Sequence, residues 1–258
     1  MRYLLCGGGT GGHIFPAVSI ANALKERFPD CQILFVGAEG RMEMERVPKA
    51  GYEIVGLPVR GFYREKVWRN VGVALDALRS MGKVKKVIKD FQPQVAIGVG
   101  GYASGVAMLM ASMKKVPLLL QEQNGFAGVT NKMLASRAST ICVAYEGMER
   151  FFEKEKIVLT GNPVRQNLQN GSREEAYAHF GFSPNRKTLL VIGGSLGART
   201  VNNAILTHIQ EFVEANDIQL LWQTGKGYID EMKEKKGVKF DVELTAEDLK
   251  ELAGQFKA

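Results

Sequence analysis

The chain has 258 residues, 45% hydrophobic and 24% charged. That is ordinary globular composition, too long for one small domain, and no apolar stretch approaches the roughly 20 residues that span a bilayer. Cys6, Cys31 and Cys142 are far apart, with neither disulfide nor metal-ligand spacing, so a disulfide scaffold or zinc module is not expected and the thiols read as small buried hydrophobes. The net charge of +7 is uneven: residues 1–163 carry 22 Lys/Arg against 14 Asp/Glu, and residues 164–258 carry 12 against 13. Such an excess attracts nucleic acid, anionic lipid or a phosphorylated substrate without choosing among them.

In chain order, Met1-Arg2 runs into only four apolar residues before a glycine cluster, which does not read as a signal peptide and leaves a cytoplasmic location as the expectation. Tyr3–Cys6, Gln32–Val36, Ile54–Leu57, Val95–Val99, Leu118–Gln121 and Thr140–Val143 read as near-continuously apolar strands. Helical spacing runs from Ile14 to Phe28 and, longest, from Val67 to Ile88. Alternating strands and helices predict right-handed crossovers and a parallel sheet. The pattern pauses at Gly161-Asn162-Pro163, and residues 163–187 are the expected hinge, with one short helix at Arg173–Phe180. It restarts with a strand at Thr188–Ile192, a glycine loop at Gly193–Gly197, a helix over Ala198–Val213 and a strand at Ile218–Trp222. A third strand is expected near Val238–Phe240, and LTAEDLKELAGQFKA reads as an amphipathic helix with Thr245 as N-cap. The fold class is therefore α/β with two Rossmann-like parallel-sheet domains, 1–163 and 164–258, the second incomplete, since a doubly wound domain normally has five or six strands.

Gly7-x-Gly9-x-x-Gly12 formally matches the dinucleotide fingerprint, and Glu39 follows the second strand. The pattern alone is weak and fits an NAD(P)-binding enzyme or an unoccupied tight turn. No Lys-Ser/Thr ends the loop, so it is not a nucleoside-triphosphate P-loop. His13 sharpens the reading, because it falls in the first helical turn at the carboxyl edge of the sheet, where ligands of open parallel sheets bind. A helix N-terminus disfavours a protonated imidazole, which suits a general base. Gly100–Gly105 and Gln121–Gly125 end two further strands on that edge, and Glu122, Gln123 and Asn124 read as substrate contacts. Arg165 at the domain junction suits a phosphate or sugar, and equally a surface ion pair. Ser195 sits in a second phosphate-type loop, and two such loops point to a ligand held between domains.

Residues 60–90 carry nine basic and three acidic side chains. Within them Trp68, Val71, Leu75 and Leu78 share one helical stripe, flanked by Arg64, Lys66, Arg69, Arg79 and Lys83. Such a stripe lies on an anionic membrane surface or packs on the sheet. His13, His179 and His208 are too scattered for a zinc site, and no nucleic-acid motif is present, so no nucleic-acid partner is expected.

GGGTGGHIFPAVSIANAL, GAEGRMEMERVPKAGYEI, GVGGYASG, EQNGFAGVTNK, GNPVR, GGSLGAR and QTGKG occur in that order. Together they resemble the MurG family over about residues 1–228. The resemblance implies a GT-B-type glycosyltransferase that needs no metal or other cofactor. It would move N-acetylglucosamine, with inversion, from UDP-GlcNAc (UDP-N-acetylglucosamine) to the 4-hydroxyl of N-acetylmuramic acid in lipid I (undecaprenyl-diphospho-MurNAc-pentapeptide), giving lipid II for peptidoglycan. It also implies a peripheral location on the cytoplasmic side of the plasma membrane, with membrane contact through the Trp68, Arg69, Val71 and Leu75 helix. By resemblance His13 is the base, Thr10, Gly11 and Gly12 lie close to the donor sugar, Asn124 holds that sugar, and Arg165 and Ser195 contact the nucleotide-diphosphate side. Full family members continue for roughly another hundred residues with a uridine-binding segment that residues 229–258 do not match. The resemblance is therefore to a C-terminally shortened member, and a non-catalytic acceptor- or membrane-binding fragment is the alternative.

Overall fold

The apolar run after Met1 forms β1 (Arg2–Cys6). Leu4 and Cys6 enter one buried cluster, Tyr3 and Leu5 another, as the period of two requires of a strand covered on both faces. In the computed structural model β1 is an interior strand in the first of two units, Met1–Gln166 and Asn167–Ala258. The structure describes residues 1–59, 70–164, 171–194, 196–215 and 217–234.

In the first unit β1 is joined by β2 (Gln32–Ala38), β3 (Glu53–Leu57), β4 (Val95–Gly98), β5 (Leu118–Glu122), β6 (Thr140–Val143) and β7 (Ile157–Leu159). They form a seven-stranded sheet in the order β3-β2-β1-β4-β5-β6-β7, with every pairing parallel. The helices are α1 (Gly11–Arg27), α2 (Glu43–Lys49), α3 (Asn70–Phe91), α4 (Tyr102–Met113) and α5 (Val129–Leu134). Ile14, Ala17, Val18 and Ala21 of α1 and Val47 of α2 bury with Leu5 and Phe35. Val84 and Ile88 of α3, Ala107 and Met108 of α4 and Leu134 of α5 bury with Leu4, Leu120 and Ile141. Both faces of the sheet are thus covered. The chain builds outward from β1 to β3, then crosses back to β4 on β1's other side. The carboxyl ends of β1 and β4 therefore flank the switch point at which doubly wound sheets bind ligands.

The sequence reading placed six of these strands and missed β7, a three-residue edge strand whose Val158 and Leu159 are exposed. α1 begins at Gly11 rather than Ile14, which makes Gly11, Gly12 and His13 its first three residues. Part of the expected Val67–Ile88 helix is α3, and residues 67–69 lie outside the described residues.

The second unit contains α6 (Arg173–Phe180), β8 (Lys187–Ile192), α7 (Arg199–Thr207), α8 (Ile209–Glu214), β9 (Ile218–Gln223) and α9 (Ile229–Glu234). β8 and β9 pair in parallel from Lys187↔Ile218 to Ile192↔Gln223. The single helix expected over Ala198–Val213 is two. The Thr207 hydroxyl donates back to the Asn203 carbonyl at 2.9 Å, and His208 sits at φ −107°, ψ 11° between them, a competition with the helical ladder that serine and threonine often set up. α9 was not anticipated. The strand expected at Val238–Phe240 and the helix expected from Leu244 lie outside the described residues.

Candidate active site

Three adjacent strand ends build the site in the first unit. After β1, Thr10 is the N-cap of α1, yet its hydroxyl caps no backbone N–H. It meets His13 Nδ1 instead, at 3.3 Å. The Thr10 carbonyl accepts from the N–H groups of His13 and Ile14 at 3.1 and 3.2 Å, which fixes the first turn. His13 Nδ1 also lies 3.2 Å from the Gly8 carbonyl oxygen. A carbonyl only accepts, so this contact is a hydrogen bond in the tautomer that carries its proton on Nδ1 and leaves Nε2 with its lone pair. Across the switch point, Val99 N–H donates to the Cys6 carbonyl at 2.8 Å. Gly100 follows, and a Cβ there would stand 2.9 Å from His13 Nε2. Only glycine lets the second strand end approach the imidazole so closely.

β5 supplies the third strand end. Glu122 is buried. Its Oε1 accepts from the backbone N–H and side-chain amide of Asn124 at 3.1 and 3.0 Å. Its Oε2 accepts from Gly128 N–H and Asn131 Nδ2, both at 2.9 Å. Gln123 Nε2 donates to the Val99 carbonyl at 3.0 Å and so ties β5 to β4. This corrects the expectation that Glu122 contacts substrate: its lone pairs are used internally, as a buried carboxylate requires. Asn124 is the exposed member that the network orients.

The structure thus brings His13, Thr10, Gly11, Gly12 and Asn124 to one sheet edge. Arg165 and Ser195 lie outside the described residues, as do Trp68 and Arg69. Val71 falls within α3. Leu75 and Leu78 of that helix are 52% and 65% exposed, while Val73, Asp76, Ser80, Val84 and Ile88 face inward. Of the stripe expected to lie on a membrane surface or pack on the sheet, Leu75 and Leu78 are exposed.

Sequence reading passed over Glu43 inside GAEGRMEMERVPKAGYEI. Its side chain is fully buried, and Oε2 accepts from Gly9 N–H at 3.0 Å. No local pattern marks this contact, because its partners are 34 residues apart. It weakens the dinucleotide alternative by occupying an amide of the fingerprint loop. Glu39, the residue that reading needs for a ribose, pairs with Lys83 at 2.9 Å. Burial, and after it the Glu43 carboxylate, pushes the Cys6 thiol well above its ordinary range. Burial likewise raises Cys142, against a hydrogen bond from Thr160, so both behave as inert thiols.

In the second unit β8, a glycine loop and α7 repeat the same local order. Gly193 N–H donates to Gln223 Oε1 at 3.3 Å, and Gly197 N–H to the Gly194 carbonyl at 2.9 Å. The first turn of α7, like that of α1, has no acidic residue.

Residues 3–143 match the glycosyltransferase family 28 N-terminal domain, and residues 188–249 match the family 28 C-terminal domain. A UDP-N-acetylglucosamine–N-acetylmuramyl-(pentapeptide) pyrophosphoryl-undecaprenol N-acetylglucosamine transferase of Bacteroides fragilis is 59% identical over 236 residues, 91% of this chain and 62% of the relative. The enzyme of the same description from Phocaeicola vulgatus is 60% identical over 235 residues, 90% of this chain and 62% of the relative. The chain thus spans about 62% of the length of these curated relatives. Among solved structures, MurG of Acinetobacter baumannii superposes with a TM-score of 0.67 at 23% identity, over 90% of this chain and 63% of that one. A UDP-GlcNAc 2-epimerase from Neisseria meningitidis superposes at 0.62 and 12% identity, over 90% and 68%. At those identities the superpositions establish a shared GT-B architecture and nothing about chemistry.

Proposed function

Because the chain belongs to glycosyltransferase family 28 and, within it, to the MurG family, we propose that it moves N-acetylglucosamine from UDP-GlcNAc to the 4-hydroxyl of N-acetylmuramic acid in lipid I, forming lipid II without a metal. One observation carries this reading. His13 stands at the β1/β4 switch point with Nδ1 directed at the Gly8 carbonyl. Its Nε2 is then free to take the proton of an attacking hydroxyl. The acceptor oxygen attacks the anomeric carbon, the bond to the UDP oxygen breaks with inversion, and His13 receives the hydroxyl proton. Gly11 and Gly12, without side chains at the first helical positions, admit the donor sugar alongside Thr10, and Asn124 holds that sugar from the Glu122 network. In this reading residues 1–163 take the acceptor and the membrane, and residues 164–258 take the donor. Arg165, Ser195 and the N-terminus of α7 receive the UDP diphosphate and offset charge on the leaving group.

The acceptor's lipid brings the protein to the cytoplasmic face of the plasma membrane. The exposed Leu75 and Leu78, with Arg79, Lys83, Lys85 and Lys86 on the same helix, support an anionic surface as the partner. Replacing both leucines by serine should reduce sedimentation with anionic liposomes and leave neutral-liposome binding at background. Equal sedimentation would remove this helix as the contact.

The test of the reaction is transfer of labelled N-acetylglucosamine from UDP-GlcNAc to a lipid I analogue. His13→Ala should lower kcat by about 10²–10⁴-fold, the range of a general base. An unchanged rate would sink the assignment of His13. Absent transfer by the natural sequence, with acceptor binding retained, would favour the acceptor-binding alternative.

A further inference from the structure

A buried carboxylate packed against the opening loop is not used by the proposed chemistry. Glu43, the first residue of α2, is fully buried. Oε2 accepts from Gly9 N–H and Oε1 from Ala38 N–H, each at 3.0 Å. Two glycines make room for it. A Cβ on Gly8 would lie 2.1 Å from Glu43 Oε1, and one on Gly37 would lie 2.6 Å from Glu43 Cγ. The loop after β1 and the end of β2 are therefore both shaped around this carboxylate. A glycine loop at a strand-to-helix turn ordinarily directs its N–H groups at a phosphate oxygen. Here Gly9 N–H meets an oxyanion that belongs to the chain. The neighbouring residue, Gly8, presents the carbonyl that meets His13 Nδ1 at 3.2 Å.

We propose that Glu43 is a positioning residue that acts as a built-in anion of the opening loop. It fills the place a phosphate oxygen would take at Gly9, holds the Gly8 carbonyl against His13 Nδ1, and so fixes the tautomer that leaves Nε2 bare. The loop then recognises an uncharged, hydroxyl-bearing ligand at this point instead of a phosphate. The catalytic consequence rests on the role proposed for His13, whereas the tautomer does not.

The test uses the full chain labelled with ¹³C and ¹⁵N. Gly9 N should show a coupling across the hydrogen bond to the Glu43 side-chain carboxyl carbon. The His13 ring should show a protonated Nδ1 and an unprotonated Nε2, assigned by loss of the signals in His13→Ala. His179 and His208 serve as internal controls. Glu43→Gln keeps the volume but offers one amide oxygen to two N–H donors. It should shift His13 toward a tautomer mixture, and should lower kcat by at least about tenfold with KM for UDP-GlcNAc changed less than about twofold, the signature of a lost transition-state effect. Glu43→Asp, which keeps the charge, should recover part of both. An Nε2-protonated ring or an absent Gly9–Glu43 coupling in the natural sequence overturns the proposal even if no variant folds. So does a folded Glu43→Gln with His13 tautomer and kcat unchanged. A chain that transfers no sugar but shows the Glu43-dependent tautomer refutes the proposed function and leaves this inference standing.

Discussion

The two units carry the same local order, strand, glycine loop and helix, in different surroundings. β1 has sheet neighbours on both sides and apolar cover on both faces, and Leu4, Leu5 and Cys6 are fully buried. β8 pairs with β9, and its Leu190 and Ile192 are 54% and 62% exposed. The loops differ too. The first is fixed by a buried carboxylate and an imidazole. The second is held by uncharged groups: Gln223 accepts from Gly193 N–H at 3.3 Å, and Asn202 donates to the Thr224 carbonyl at 2.8 Å while accepting from Trp222 Nε1 at 3.1 Å. A shared glycine motif therefore does not fix which groups hold the loop. The first loop has an internal anion at Gly9, whereas Gly193 and Gly197 in the second meet uncharged oxygens; the first turns of α1 and α7 are both free of acidic residues.

Core truncation should separate the units most widely. Leu5→Ala leaves a cavity in β1 and should cost about 2–5 kcal/mol, while Leu190→Ala removes a half-exposed side chain and should stay within about 0.5 kcal/mol. Denaturant unfolding followed by far-UV circular dichroism measures both. Equal losses would mean that the contrast in burial does not reflect a contrast in stability.

Next in size is the polar edge. Glu122→Ala strands the Asn124, Gly128 and Asn131 donors around a buried site and should cost about 1–3 kcal/mol. It should also lower transfer by releasing Asn124. Gln223→Ala strands one backbone N–H of the second loop and should cost less. If the Gln223 variant is the more damaging, the first unit's edge is not the better organised of the two.

The fold of the first unit was legible because every buried strand from β1 to β6 is a short apolar run, and a parallel sheet covered on both faces demands such runs. β7 escaped because three half-exposed residues leave no periodicity to detect. At the site, His13 was legible because it follows a glycine loop within one helical turn. The Glu122 network was half legible: its location at a strand end could be read, but burial reversed its role from substrate contact to scaffold. Glu43 was not legible, since its contact with Gly9 is made by tertiary packing of β2 and α2 against the loop. The break at His208 coincides with the bond from the Thr207 hydroxyl to the Asn203 carbonyl, a local contact that a sum of helix propensities does not register.

Alkaline pH should act on the units in opposite directions. In the first, the Cys6 thiol is raised by burial and then by Glu43, and the Tyr52 phenol is raised by burial and then by Cys31. The folded state therefore holds protons that the unfolded chain gives up. For the thiol this stability is complete below the unfolded value of about 8.5 and falls above it, by up to about 1.4 kcal/mol per pH unit, whereas the partly exposed phenol adds a smaller loss only above its unfolded value of about 10. In the second unit Tyr177 is lowered by its hydrogen bonds with Thr188 and then Arg173, so its contribution grows as pH rises toward the unfolded phenol value. Unfolding between pH 8 and 10 should show the first unit losing stability, with a shallower slope in Cys6→Ala. An unchanged slope in that variant would mean that the thiol is not a source of the loss.

The smallest effect belongs to a cap in the second unit. Ser172 precedes α6, and its Oγ accepts from Glu175 N–H at 3.3 Å while donating to Glu174 Oε2 at 2.9 Å. Glycine 181 closes the helix at φ +65°, so both ends follow the usual capping chemistry. Ser172→Ala should cost about 0.5–1 kcal/mol, the low end for an N-cap, because the bond is long. In a Trp68→Phe background, Trp222 on β9 reports the second unit by fluorescence, and amide exchange of β1 reports the first. If the units unfold independently, Ser172→Ala moves the Trp222 transition and leaves β1 exchange unchanged. Equal shifts in both would mean that the two units unfold as one, and the contrast between a well-covered sheet and a sparsely covered one would then describe surfaces without separate stabilities.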